Sequence, residues 1–164
     1  MASTGSREPA GLRTIVVGYD GTRPAERALS RAADLARAFG STVIVADVVA
    51  PAPIDAMPGA FGLMPYFRST PENEVLVDEA LWQRHRDRVE SFFAETAISH
   101  EFAGVVGDPA TEIVDVAEQR DADLIVVGTR EPSLLDRLLE GSVSRGVARR
   151  ARCDVLIVHP EHDD

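Results

Sequence analysis

The chain contains no lysine. All 17 of its basic residues are arginine, set against 27 acidic residues, for a formal charge of −10. Without an amine there is no P-loop phosphate clamp, no Schiff-base chemistry and no lysine acetylation. The acidic balance argues against nucleic acid, whose binding rests on phosphate neutralisation, and against anionic membranes. High-GC coding and a saline habitat both produce arginine and acid without lysine, and the first is the simpler account. Cys153 is the one cysteine, so no intrachain disulfide or cysteine-rich metal site exists. Just ahead of a predicted strand, it reads as a small buried apolar residue rather than a redox thiol. No apolar run approaches the roughly 18 residues of a membrane span. The opening MASTGSREPAGLR lacks the apolar core of a signal peptide. Residues 1–12 therefore read as a disordered tail, 161–164 as a second short tail, and the cytoplasm as the expected location.

What remains is one domain, residues 13–160, with 45% hydrophobic residues over the whole chain to build a core. RTIVVG at 13–18 is a β-branched run closed by glycine, hence a strand. Gly21 or Thr22 can cap a helix from Pro24 to Phe39. Ala25, Ala28, Leu29, Ala32, Leu35, Ala36 and Phe39 fall on its apolar side, and Arg23, Arg27, Arg31 and Arg37 mainly on the other. Gly40 ends it. TVIVADVV at 42–49 is a second strand. A long loop follows, 50–73, rich in proline and aromatics, which reads as a variable segment or a protein-partner surface. A helix from about Glu74 to Ala97 would bury Val75, Val77, Leu81, Trp82, His85, Val89, Phe92 and Phe93. Strands are predicted at 100–106, 123–127 and 154–158, with helices starting after Gly107-Asp108-Pro109 and at 141–152. His159-Pro160 ends the last strand.

Apolar strands alternating with helices predict an α/β fold, an open doubly wound five-stranded parallel sheet with helices on both faces. Ligands of such sheets sit beyond the strand C-termini, at the switch point. Gly18 to Thr22, Asp47 to Val49, Gly107-Asp108 and Gly128 to Arg130 lie there. Asp20, Asp47 and Asp108 could gather into an acidic cluster, although solvated turn carboxylates are the commoner outcome. His85, His100, His159 and His162 lack ligand spacing on any one element. Arg145, Arg149, Arg150 and Arg152 suit the dipole at the end of the last helix. No acid–base pair or nucleophile elbow marks an enzyme.

The stretch VVGTREPSLLDRLLEGSVS has the layout of a phosphate cradle, a strand ending in Gly128 and a helix opening at Gly141-Ser142. Three blocks, VVGYDGT, GDPATEIVDVAEQRDADLIVVGTR and GSVSRGVARRARCDVLIVHP, stand in the order found in the universal stress protein A family. The chain resembles that family from Arg13 to His159. The resemblance implies strand order 3-2-1-4-5 and a homodimer paired through the last strand, Val155 to Val158. It also implies ATP or another adenine nucleotide as ligand, with slow hydrolysis at most, since no general base stands near the phosphates. Asp20 would then contact the ribose or a Mg²⁺ ion, and backbone from Val45 to Asp47 would hold the adenine. Gly128, Gly141, Ser142 and Val143 would line the phosphates, with Gly18, Tyr19, Arg130, Glu131 and Ser144 completing the candidate site.

The family's nucleotide motif is glycine, two residues, glycine, nine residues, glycine and serine or threonine. Here Gly128 and Gly141-Ser142 fill their places and Glu131 occupies that of the second glycine. A side chain there can strain the backbone by roughly 1–3 kcal/mol. A carboxylate about 5 Å from a phosphate charge costs about 3 kcal/mol at an effective dielectric of 20, some two decades in affinity. Arg130, Arg137 or a bound metal would offset part of this, and a solvent-directed side chain would avoid most of it. Two readings follow: a nucleotide-binding stress-response regulator, or a dimeric interaction module of the same fold that has lost its nucleotide.

Overall fold

The computed structural model describes residues 11–50, 79–129 and 143–160. Five strands run through it: β1 (Thr14–Tyr19), β2 (Thr42–Val49), β3 (His100–Val106), β4 (Leu124–Gly128) and β5 (Asp154–Val158). Four helices are described: α1 (Arg23–Phe39), α2 (Glu79–Phe93), α3 (Pro109–Gln119) and α4 (Val143–Arg150). All strand pairs are parallel, in the order β3-β2-β1-β4-β5. This is the doubly wound α/β sheet that the alternation of strands and helices predicts.

Alternate residues of each central strand feed two separate cores. Ile15, Val17, Val43, Val45 and Val126 pack under α1 and α2, with Leu29, Val89 and Phe93. Val16, Ile44, Ala46, Ile125 and Val127 pack under α3 and α4, with Ile113, Val116 and Val147. The first two crossovers therefore cover one face and the last two the other. The change of side falls between β1 and β4, which are neighbours in the sheet. There the chain leaves β1 toward one face and β4 toward the other, opening a crevice at their C-terminal ends.

Local chemistry sets the element ends. Thr22, extended at φ −82° and ψ 162°, is the N-cap of α1 by backbone alone, and Pro24 and Glu26 suit the first turn. Gly40 takes the left-handed conformation (φ 72°) and its N–H donates to the Ala36 carbonyl. Asp108 caps α3, accepting from the Thr111 N–H at 3.0 Å and its hydroxyl at 2.7 Å. These bonds hold the Asp108 carboxyl below the usual range. At the opposite end of the sheet, Asp123 accepts from the backbone N–H groups of Arg13 (2.8 Å) and Thr14 (3.0 Å), tying the starts of β1 and β4 together.

Several boundaries and burials differ from expectation. α2 stops at Phe93 rather than Ala97, because the N–H and hydroxyl of Thr96 both bond the Phe93 carbonyl and turn the chain toward β3. Of its expected buried face, Val89 and Phe93 are buried, Leu81, Trp82 and His85 are half-buried, and Phe92 is 40% exposed. Phe39 is exposed too, since the buried stripe of α1 ends at Ala36. β4 is displaced by one residue, to 124–128, and α4 ends at Arg150. Arg152 lies beyond that helix and pairs with Glu118 at 3.3 Å. Cys153 is half-buried against the α3 core, and burial pushes its thiol up, away from the reactive thiolate. The expected residues 50–73 loop, apart from Ala50, and residues 74–78 lie outside the described residues, as do 130–142.

Candidate functional site

The sheet brings Gly18, Tyr19, Asp20, Asp47 and Gly128 to one edge, where β1, β2 and β4 end. β1 leads straight into a tight turn. Gly21 there has φ +72°, a conformation that side chains resist. Asp20 closes the turn by accepting from the Thr22 N–H (3.1 Å) and hydroxyl (2.6 Å) through Oδ1. Its Oδ2 has no partner among the described residues, which leaves a carboxylate oxygen at the mouth of the crevice.

The other residues take different places. Gly18 faces the α3 side, and a Cβ there would lie 2.7 Å from Ile113 Cδ1, so a side chain at this position would make the tip of Ile113 shift. The side chain of Tyr19 is buried in the α1–α2 core, with a hydroxyl that finds no partner among the described residues. Burial pushes its pKa up. Val45 is fully buried and pairs with β1 and β3 on both sides. β1 pairs only as far as Asp47, while β2 runs on beside β3 to Val49. The edge of β2 that opens onto the crevice therefore begins at Val48. Gly128 packs against the Pro24 carbonyl group in the first turn of α1. Val143 opens the described part of α4 and is 39% exposed, whereas Ser144 is buried. Arg130, Glu131, Gly141 and Ser142 lie outside the described residues.

Asp47 is the residue whose surroundings depart furthest from expectation. It is 1% exposed at the end of β2, and His85 of α2 meets it, Nδ1 to Oδ2 at 2.8 Å. Burial raises the Asp47 pKa, the His85 bond and charge lower it in part, and Asp20 raises it further. A lone buried carboxylate is costly, so the imidazole is what makes Asp47 tolerable there. Tyr19 packs edge-on against the same ring, with centroids 5.6 Å apart. Asp20, Asp47 and Asp108 do not form an acidic cluster. Each has its own local partner, and no group of three or more potential metal ligands exists among the described residues.

Two residues of this region escape sequence reasoning. His85 is 38 residues from its partner, and only the crossover of α2 brings them together. Arg27, assigned to the solvent side of α1, donates instead to the Thr129 carbonyl at 3.2 Å, just past β4. It places a cation at the β4 exit of a chain without lysine. Position 27 lies one residue before the buried Ala28, the one signal that it borders the apolar stripe.

This geometry has known counterparts. Residues 11–159 match the universal stress protein family. The chain belongs to the universal stress protein family. It is 35% identical over 155 residues to the universal stress protein Rv1636 of Mycobacterium tuberculosis, covering 90% of this chain and 96% of that one. The universal stress protein MJ0531 of Methanocaldococcus jannaschii is 32% identical, with 89% and 81% covered. Among solved structures, a universal stress protein in complex with cAMP is 34% identical, with a TM-score of 0.63 over 92% of this chain and 98% of that chain. No helix among the described residues is long and apolar enough to cross a membrane.

Proposed function

We propose that this universal stress protein is a stress-response regulator that binds an adenine nucleotide in the crevice between β1 and β4. The observation that carries the reading is the cAMP complex of a universal stress protein 34% identical to this chain over nearly its whole length. The residues present fit such a ligand. A tight turn with one Asp20 oxygen that lacks a partner among the described residues suits a ribose hydroxyl or a Mg²⁺ ion held by a nucleotide. The edge of β2 that β1 leaves unpaired from Val48 onward suits an adenine. Gly128, Arg27 and the start of α4 border the space left for phosphate, with Gly141 and Ser142 supplied by the motif. ATP remains the nucleotide that the motif spacing favours. The functional unit is a cytoplasmic homodimer built from residues 13–160, paired through β5.

Glu131 supports the other reading, a dimeric interaction module whose partner surface is the 50–73 segment. Calorimetry with ATP, AMP and cAMP, with and without Mg²⁺, separates the two. The chain and Glu131→Gly are compared side by side. The expected result is measurable binding by both, with ATP tightened about tenfold or more by the substitution, as the removed repulsion requires. Tight ATP binding that the substitution leaves unchanged would refute this account of Glu131. No binding by either protein would refute the nucleotide reading and favour the interaction module.

A further inference from the structure

The Asp47–His85 pair is larger than a buried charge needs. A hydrogen-bonding group of neutral charge, such as the amide of an asparagine, could fill the end of β2 without desolvating a carboxylate. Asp47 instead orients a ring. With Nδ1 held at 2.8 Å by Asp47 Oδ2 and the ring face set by Tyr19, the imidazole has one remaining position. Its Nε2 then lies over the β1 turn, where a Cβ on Gly21 would come within 2.5 Å of it. The positive φ and this contact both demand glycine at residue 21, so the turn is shaped around the ring.

We propose that His85 is a ligand-reading residue, contacting through Nε2 the 2′-hydroxyl of the nucleotide's ribose, with Asp47 as its positioning residue. This rests on the nucleotide reading above and names a contact within it. The choice of a hydroxyl follows from the surroundings. Asp20 and the buried Asp47 lie close enough to feel each other's charge, and the Glu26–Arg88 pair (2.6 Å) adds no net charge near Tyr19 beside them. A phosphate is repelled by that balance and a neutral polyol is not. A hydroxyl both donates and accepts, so it can bond Nε2 in either ring form, while Asp20 Oδ2, without a partner among the described residues, takes a neighbouring O–H. The 2′-hydroxyl is the one ribose hydroxyl that AMP and a 3′,5′-cyclic nucleotide share.

Calorimetry with AMP and 2′-deoxy-AMP tests the assignment on the full chain, His85→Phe and the double variant Asp47→Asn/His85→Phe, which removes the unpaired carboxylate if the single variant folds poorly. The expected result is that the chain favours AMP by about tenfold or more, the worth of one well-placed hydrogen bond, and that both variants lose this preference while keeping their affinity for the deoxy analogue. On the unmodified chain, the nitrogen NMR signal of His85 Nε2 should move with AMP and not with 2′-deoxy-AMP. A preference that survives in the variants, or an Nε2 signal indifferent to the sugar, would overturn the proposal while leaving nucleotide binding intact. So would variants that bind both nucleotides more tightly, since the ring would then be an obstruction. No binding of either nucleotide by the unmodified chain would sink the nucleotide reading and this contact with it.

Discussion

Gly128→Ala should destabilise the protein whether or not a ligand ever binds. α1 begins over the end of β4, and the Pro24 carbonyl group already occupies the space where a Cβ of residue 128 would stand, with Pro24 Cβ another 2.9 Å away. Real Cβ atoms essentially never approach other heavy atoms within 3.0 Å. The obstacle is backbone, so no rotamer change relieves it. α1 or β4 must retreat by roughly 0.5–1 Å, and α1 is held by Ala25, Ala28 and Leu29 in the core. Overpacking of this kind costs about 1–3 kcal/mol, and the rigid obstacle puts Gly128→Ala at the upper end, about 3 kcal/mol. Urea unfolding followed by the fluorescence of Trp82 measures it, with an unchanged slope expected. Gly40→Ala is the control: its φ is +72° but nothing lies within 4 Å of the added methyl, so strain alone should cost about 1 kcal/mol. A Gly128→Ala protein within about 0.5 kcal/mol of the parent, or less affected than Gly40→Ala, would refute the steric argument. The role of Gly128 would then rest on a ligand alone.

Other substitutions probe other parts of the molecule. Asp123→Asn should cost about 1–2 kcal/mol near neutral pH, because a charged acceptor of two backbone N–H groups is lost. Burial is the largest single influence on the Asp123 pKa and raises it, but the Thr14 and Arg13 N–H groups and the Arg13 charge together bring it below its ordinary 3.8. Its contribution is thus present above that value and lost as pH falls through the lower folded one, so parent and variant should converge in acid. A gap that stays constant from about pH 5 to about pH 2 would contradict this. Leu156→Asp or Val158→Asp, placed on the half-buried edge strand β5, should yield monomer in sedimentation velocity. A dimer that persists would move the interface elsewhere.

The strands were legible because a sheet covered on both faces needs uninterrupted apolar runs, and Ile15–Val17, Val43–Ala46 and Ile125–Val127 are such runs. Gly40 and Asp108-Pro109 were legible because their chemistry is local: a left-handed cap and a carboxylate three residues from the N–H it accepts. α2 was harder. Its apolar residues predicted a wide buried face, yet it covers the outer part of the sheet, where Phe92 meets Phe93 edge-on and stays 40% exposed. The site divided in the same way. Asp20 and Gly21 declare a turn by residue type alone. The Asp47–His85 bond and the Arg27–Thr129 bond depend on which helices cross which strands, and periodicity within one helix carries no such information. Gly128 was found for a motif, whereas the Pro24 backbone supplies its immediate physical reason.

Thr129 has a consequence that reaches past the crevice. Its carbonyl receives Arg27, and its N–H donates to the carbonyl of Val158, the last residue of β5, at 3.0 Å. One residue, through two successive peptide groups, thus joins the first helix to the outermost strand, although the two are far apart along the chain. A phosphate that draws the Arg27 guanidinium toward itself would unload one side of Thr129, and the first structure to feel the change would be the tip of β5. In a dimer paired through β5, occupancy of one subunit would be registered at the seam with its neighbour through two hydrogen bonds, with no helix needing to move.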